Sequence, residues 1–348
     1  MKALVFHAPR EMAVSDLPLV GPGPGEIRVR VQYAGVCGTD RRIFMGTKSV
    51  RGPRVIGHEF AGIVDEVGAG VQAWTQGQRV AIYPIVACGT CHACREGRKN
   101  ICVRRRTFGY EIDGGFAEYV AVIAEAVSGG NVVAVPDGVS DIAAAASEPV
   151  AAALQGIVRA GVRTDDAVLI IGAGPIGLAH LTLSRLFGAS CVIVSEPDRK
   201  RREDARTRGA THVIDPAEGP LAAQVRTLMG NEGPRVAFVD AGVPELVGAA
   251  LQSVRKGGRC VIFAGMPPET VLHLDPNAIH YGELDLIGSS GSTPELQAKV
   301  FAWAADGRLD LESSVSDVLP LDDWPQAFSE TSSSSGLKVL FGMAQAAR

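Results

Sequence analysis

Two rhythms of apolar and polar positions divide the chain. Up to about residue 150, short β-branched runs sit between glycine and proline: Lys2–Phe6, Ile27–Tyr33, Gly62–Val67, Arg79–Tyr83, Phe116–Val122 and Val132–Val135. Runs of that length bounded by turn residues predict antiparallel strands. From about Asp166 the pattern changes to apolar segments spaced widely enough for a helix between each pair: Ala167–Ile171, Ser190–Ser195, Thr211–Ile214, Val236–Asp240, Arg259–Ala264 and Leu284–Gly288. Strands alternating with helices predict an α/β doubly wound parallel sheet. After Gly288 the pattern loosens to a helix over Pro294–Ala305, a polar run at Ser332–Ser335 and a terminal strand at Leu337–Phe341. That tail is too small to fold alone, so it is expected to return to the N-terminal β unit. The division is then 1–150, 151–289 and 290–348, with no internal repeat.

Composition narrows the picture a little. A chain of 348 residues exceeds what one core usually organises, and 46% hydrophobic against 21% charged residues is a globular profile. The 41 glycines point to many tight turns and close backbone approaches. A net charge of −4 gives no electrostatic reason to bind nucleic acid or an anionic membrane, which favours a small-molecule partner. Met1 leads directly into a strand pattern without the regions of a signal peptide, so the cytoplasm is the expected location. Ala167–Ser184 lacks Asp, Glu, Lys and Arg, but Gly172, Gly174, Pro175, Gly177 and His180 break it into a strand, a turn and a helix rather than a membrane span.

Cys88, Cys91, Cys94 and Cys102 form C-x2-C-x2-C-x7-C in a lobe of about residues 86–105. Four thiols on a loop too short for its own core fit a structural tetrahedral zinc. Other readings are an iron–sulfur cluster, two disulfides or a nucleic-acid-binding ribbon. The first usually closes with Cys-Pro, whereas Val103 follows Cys102; the second suits an oxidising compartment. The third gains from Arg98, Lys99 and Arg104–Arg106, but no aromatic residues interleave them.

Gly172-Ala173-Gly174-Pro175-Ile176-Gly177 follows one apolar strand and opens a helix, and Glu196 ends the next strand. In that context the glycines allow close approach of a pyrophosphate to the helix N-terminus, and the acid can accept the ribose hydroxyls of NAD while repelling the 2′-phosphate of NADP. Arg199, Lys200, Arg201 and Arg202 bear on that preference, either as a solvated helix start or as a phosphate clamp.

Cys37 in Gly35-Val36-Cys37-Gly38-Thr39-Asp40 and the pair His58-Glu59 are each weak signals alone. Read in order with the cysteine lobe, Asp113-Gly114-Gly115-Phe116-Ala117-Glu118, Glu148-Pro149 and the glycine loop, they make the whole chain resemble the zinc-dependent medium-chain dehydrogenase/reductase (alcohol dehydrogenase) superfamily. It looks most similar to the polyol and threonine dehydrogenase branch, because Glu148-Pro149 stands where ordinary alcohol dehydrogenases carry a second cysteine ligand.

The resemblance implies a GroES-like catalytic domain beside a Rossmann NAD-binding domain, two zinc ions per subunit, and a homodimer or homotetramer. Cys37, His58 and Glu59 would hold the catalytic zinc, with Glu148 beside it as ligand, through water or in a proton relay. For Glu148 a plain acid at a helix start is the other reading. Thr39 resembles the relay hydroxyl, or else is a turn threonine bonded to backbone. Arg42 stands where threonine dehydrogenases place a histidine, and a guanidinium cannot accept the relayed proton. Arg41 and Arg42 could instead meet a substrate phosphate or carboxylate, though a surface pair is the simpler reading. Cys191, Cys260, His7, His92, His180, His212, His273 and His280 are expected to be structural.

The expected activity is hydride transfer between NAD and a secondary alcohol on a polyol, sugar or cyclitol, phosphorylated or not. The alternatives are oxidation of threonine and a non-enzymatic NAD(P)-binding sensor.

Overall fold

The computed structural model describes residues 1–230, 232–330 and 337–343, so the polar run Ser332–Ser335 lies outside the described residues. The chain forms two compact units, one from Met1–Ala151 with the described residues from Ser292 to Glu330 and from Leu337 onward, the other from Ala152–Gly291.

In the first unit the main sheet runs Val132–Ala134, Arg79–Ile82, Glu59–Val67, Ile27–Gly35, Lys338–Gly342, Val315–Pro320, with Tyr119–Val122 also paired to Ile27–Gly35. Ile27, Val29 and Val31 alternate inward into a core that includes Phe60, Phe116 and Phe341, as period-2 patterning requires. The pairs are antiparallel except Val315–Pro320 with Lys338–Gly342, which is parallel. Val315–Pro320 escapes the hydrophobic pattern because it is an edge strand that buries none of its six residues. Tyr119–Val122 is shorter than the apolar run Phe116–Val122 and Glu59–Val67 is longer than Gly62–Val67. The extension carries Glu59 into the ladder opposite Gly35.

The second unit is a six-stranded parallel sheet in the order His212–Ile214, Cys191–Ser195, Ala167–Ile171, Val236–Val239, Arg259–Ile262, Asp285–Gly288. Each expected strand is present, with ends trimmed by up to two residues. Val236–Val239 is buried throughout, the continuous apolar run of a strand covered on both faces. Helices Pro175–Leu186, Arg199–Thr207, Leu221–Met229 and Glu245–Ser253 connect the strands. Below the sheet, the Arg235 guanidinium donates to both oxygens of the buried Asp166 carboxylate at 2.5 and 2.6 Å. Among the described residues no helix is long and apolar enough to cross a membrane.

Candidate active site

Strand pairing assembles the first cluster. Ile27–Gly35 ends just before Cys37, the N-cap of the short helix Gly38–Phe44, and Gly35 pairs with Glu59 across the sheet. A Cβ on residue 35 would lie 2.3 Å from Glu59 Oε2, so glycine leaves space for the carboxylate. The ligand atoms of Cys37, His58 and Glu59 all lie within 4.8 Å of one another. His58 and Glu59 are buried and Cys37 is partly exposed.

These residues fit a zinc ion. Sulfur, nitrogen and oxygen donors share one small volume, and neither His58 Nδ1 nor Glu59 Oε2 has an aligned hydrogen-bond partner among the described residues. Burial opposes charge on His58, yet Tyr110, Asp40 and Cys37 outweigh it and hold the imidazole pKa well above its ordinary value. The site therefore favours positive charge.

Three further residues belong here, Asp40 from the Cys37 motif and two that carry no motif of their own. Asp40, fully buried, accepts from the Cys37 backbone N–H at 2.8 Å and has its other oxygen 3.4 Å from His58 Nδ1. Lys338 Nζ donates to Glu59 Oε1 at 2.9 Å and to the Val36 carbonyl at 3.2 Å. It lies 2.7 Å from Glu59 Oε2, outside hydrogen-bond alignment. Burial would lower the ammonium pKa, but the Glu59 charge more than reverses this. The signal for Lys338 was one lysine inside the apolar run Leu337–Phe341, since a buried cation demands a partner. The third is Tyr110, whose ring centroid is 5.4 Å from that of His58.

Glu148 is buried in the first turn of helix Ser147–Ala160, outside the 4.8 Å cluster. Burial, with the Glu59 charge second, pushes its pKa up to about 7 against His58 and Lys338. Thr39 lies in the first turn of helix Gly38–Phe44, and its Oγ1 accepts from Arg42 Nη2 at 3.0 Å. Its described side-chain partner is thus the guanidinium. Arg41 and Arg42 are both exposed.

The second cluster is local. A two-residue ladder, Ile85–Val86 against Arg106–Thr107, closes the loop that holds Cys88, Cys91, Cys94 and Cys102, whose sulfurs all lie within 4.8 Å of one another. None is in a disulfide. The Cys88 and Arg104 backbone N–H groups donate to Cys102 Sγ at 3.3 and 3.4 Å, and Arg104 Nη2 reaches Cys88 Sγ at 3.5 Å. A hydrogen bond from the Thr90 backbone, then Arg104, lowers the Cys88 pKa to about 5. Desolvation raises that of Cys94 to about 12. Four converging sulfurs with donors to their thiolates fit a closed zinc site.

In the second unit, Gly174 caps helix Pro175–Leu186 without a side-chain hydrogen bond, so its first amides are free to meet an anion. A Cβ on Gly177 would sit 1.9 Å from the Gly172 carbonyl oxygen, which fixes glycine where the helix packs on the loop. Ile176 is partly exposed at the helix start. Glu196 follows strand Cys191–Ser195; Oε2 accepts from Ala173 N at 2.7 Å and Oε1 from Asp198 N at 3.0 Å. Arg202 is committed to the Glu196 and Pro197 carbonyls and to Asp215, while Arg199 and Lys200 are exposed. His180 is buried between Phe238 and Phe263, with Nδ1 2.9 Å from Asp240. Cys260 is buried, but Cys191 is only partly so.

Residues 23–142 match the alcohol dehydrogenase GroES-like domain family and residues 175–306 the zinc-binding dehydrogenase family. The chain is 32% identical over 332 residues to a sorbitol dehydrogenase of Bacillus subtilis, covering 94% of this chain and 92% of that one. A zinc-binding dehydrogenase of Sinorhizobium meliloti, solved with NADP, superposes with a TM-score of 0.92 at 32% identity over 98% of both chains. An alcohol dehydrogenase of Escherichia coli CFT073, solved with NADH, gives 0.91 at 30% identity, covering 98% of this chain and 99% of that one.

Proposed function

We propose, from the premise that this chain belongs to the zinc-dependent medium-chain alcohol dehydrogenase superfamily and is an NAD(P)-dependent enzyme, that it oxidises a secondary alcohol on a polyol, sugar or cyclitol and uses NAD. The observation that carries this reading is the convergence of the Cys37, His58 and Glu59 ligand atoms within 4.8 Å of one another. These three would hold the catalytic zinc, and Cys88, Cys91, Cys94 and Cys102 the structural one. When bound, zinc supplies Lewis acidity at the substrate oxygen and the nicotinamide accepts the hydride.

The remaining steps belong to the chain. Thr39 Oγ1 would relay the hydroxyl proton, accepting it while releasing its own O–H proton to the next acceptor; the hydrogen bond from Arg42 holds the oxygen in place. Glu148, buried near Glu59 and His58, is the further carboxyl that could hold or release a proton there. Lys338 orients the Glu59 carboxylate. Gly172, Gly174, Pro175, Ile176 and Gly177 would cradle the pyrophosphate and Glu196 would face the adenosine ribose. Its negative charge favours NAD, and Arg202 is already committed elsewhere.

Residues 1–150, with 290–348, are assigned to the catalytic domain and 151–289 to the NAD-binding domain. The exposed Leu286 on edge strand Asp285–Gly288 and the nearby exposed Tyr281 support a homo-oligomer. Cofactor reduction followed across polyols, sugar phosphates, cyclitols and amino alcohols tests the reading. Turnover of a polyol or sugar derivative with at least about tenfold preference for NAD is expected. Threonine as best substrate, or no turnover at all, would overturn it.

A further inference from the structure

Most of the arginines in the first unit's sheets are neutralised: Arg28, Arg54, Arg79 and Arg106 each pair with a carboxylate. Arg42, Lys48 and Arg105 differ, with no ion pair to any described residue. Arg42 donates to the Thr39 hydroxyl, and Arg105 donates to the Asn100 carbonyl at 2.8 Å. Lys48 is half-buried, with Nζ 4.4 Å from the centroid of Tyr110, the ring that packs beside His58. The turn is fixed, because the backbone N–H groups of Thr47 and Lys48 both donate to the Arg42 carbonyl.

Burial, then the charges of Arg42 and Arg105, lower the Lys48 pKa, and Glu111 and Cys37 only partly offset them. Like charges gathered where one is partly desolvated are unfavourable unless an anion joins them. Two of the three lead to the cluster. Arg42 holds the hydroxyl two residues from Cys37, and Lys48 reaches the metal set through one aromatic ring.

We propose that the substrate carries a carboxylate or phosphate, bound by Lys48, Arg42 and Arg105 while its secondary hydroxyl reaches the Cys37–His58–Glu59 cluster. This rests on the reading of that cluster as the reaction centre. Through one aromatic ring, the ammonium is within reach of a short polyol chain whose hydroxyl meets the cluster. The neutral polyol is then the poorer substrate, because it leaves the cations unpaired.

The test compares kcat/KM for sorbitol, gluconate and sorbitol 6-phosphate in the zinc-loaded wild type, Lys48→Met and Lys48→Arg. Calorimetry with gluconate and with inorganic phosphate provides a readout independent of turnover. The expected result is preference for one of the two anionic compounds over sorbitol, gluconate marking a carboxylate site and the 6-phosphate a phosphate site. Lys48→Met should reduce that preference about 10- to 100-fold, mainly through KM, and weaken binding of the matching anion in parallel. Lys48→Arg should restore most of both. Turnover with no anionic preference, or a preference that Lys48→Met does not change, would overturn the inference and leave the dehydrogenase reading standing. Lys48-dependent anion binding without turnover of any alcohol would do the reverse.

Discussion

The two sulfur-bearing clusters of the first unit are built in opposite ways. The lobe draws Cys88, Cys91, Cys94 and Cys102 from one short loop, closes it with a two-residue ladder, and surrounds the sulfurs with backbone amides and exposed Arg104. The other draws Cys37 and His58 from the ends of neighbouring strands and secures Glu59 with a lysine 279 residues away. A loop without a core of its own depends on its ion for its shape. A cluster placed by a seven-stranded sheet has its shape already and can leave a coordination position for substrate. Resemblance in chemistry thus hides a division of labour: in one cluster the metal would organise the protein, in the other the protein organises the metal.

Substitutions should separate the two. His58→Ala or Cys37→Ser is expected to lower kcat/KM by about a thousandfold or more with little change in thermal midpoint, because the metal's Lewis acidity is lost while the sheet keeps the cluster's shape. Cys91→Ser with Cys94→Ser should instead lower the yield of folded protein and its midpoint. Steady-state kinetics beside a thermal scan would show this, and both variants losing fold and activity together would erase the distinction.

Lys338→Met comes next in size. It strands the buried Glu59 carboxylate, so denaturant unfolding should show a loss of about 3–5 kcal/mol. A change within error would mean that the ammonium is not what holds Glu59.

Glu148 sharpens the comparison through pH. Its folded pKa of about 7 lies above the ordinary 4.5, so folding favours the protonated form. The resulting stabilisation is fully present below about pH 4.5 and lost as pH rises through 7, in total about 3 kcal/mol for a shift of this size. In chelator-treated protein, Glu148→Gln should flatten that slope between pH 4.5 and 7; an unchanged slope would locate the titration elsewhere. The smallest effect is expected at Arg104→Met, where an exposed donor to Cys88 is lost and the midpoint moves by no more than about 2 °C.

The two rhythms of the chain were enough for the fold class, because strands covered on both faces read as unbroken apolar runs and half-covered ones alternate. Val315–Pro320 shows where this stops: an edge strand with none of its residues fully buried is held by its neighbour's backbone and carries no regular apolar alternation. Candidate site residues were legible where spacing carries the chemistry, as in the cysteine lobe and the glycine loop. Tyr110 and Lys338 act through contacts that sequence distance conceals. The bond from Arg42 to Thr39 was equally hidden, since side-chain direction on a short helix is set by what surrounds it.

Zinc content per chain, measured on purified wild type, Cys37→Ser/His58→Ala and Cys91→Ser/Cys94→Ser, tests the central claim most directly. About two equivalents are expected in the wild type, falling to about one in each double variant, with alcohol oxidation lost in the first. Full zinc content in Cys37→Ser/His58→Ala, or a fully active wild type with no more than one equivalent, would contradict the account.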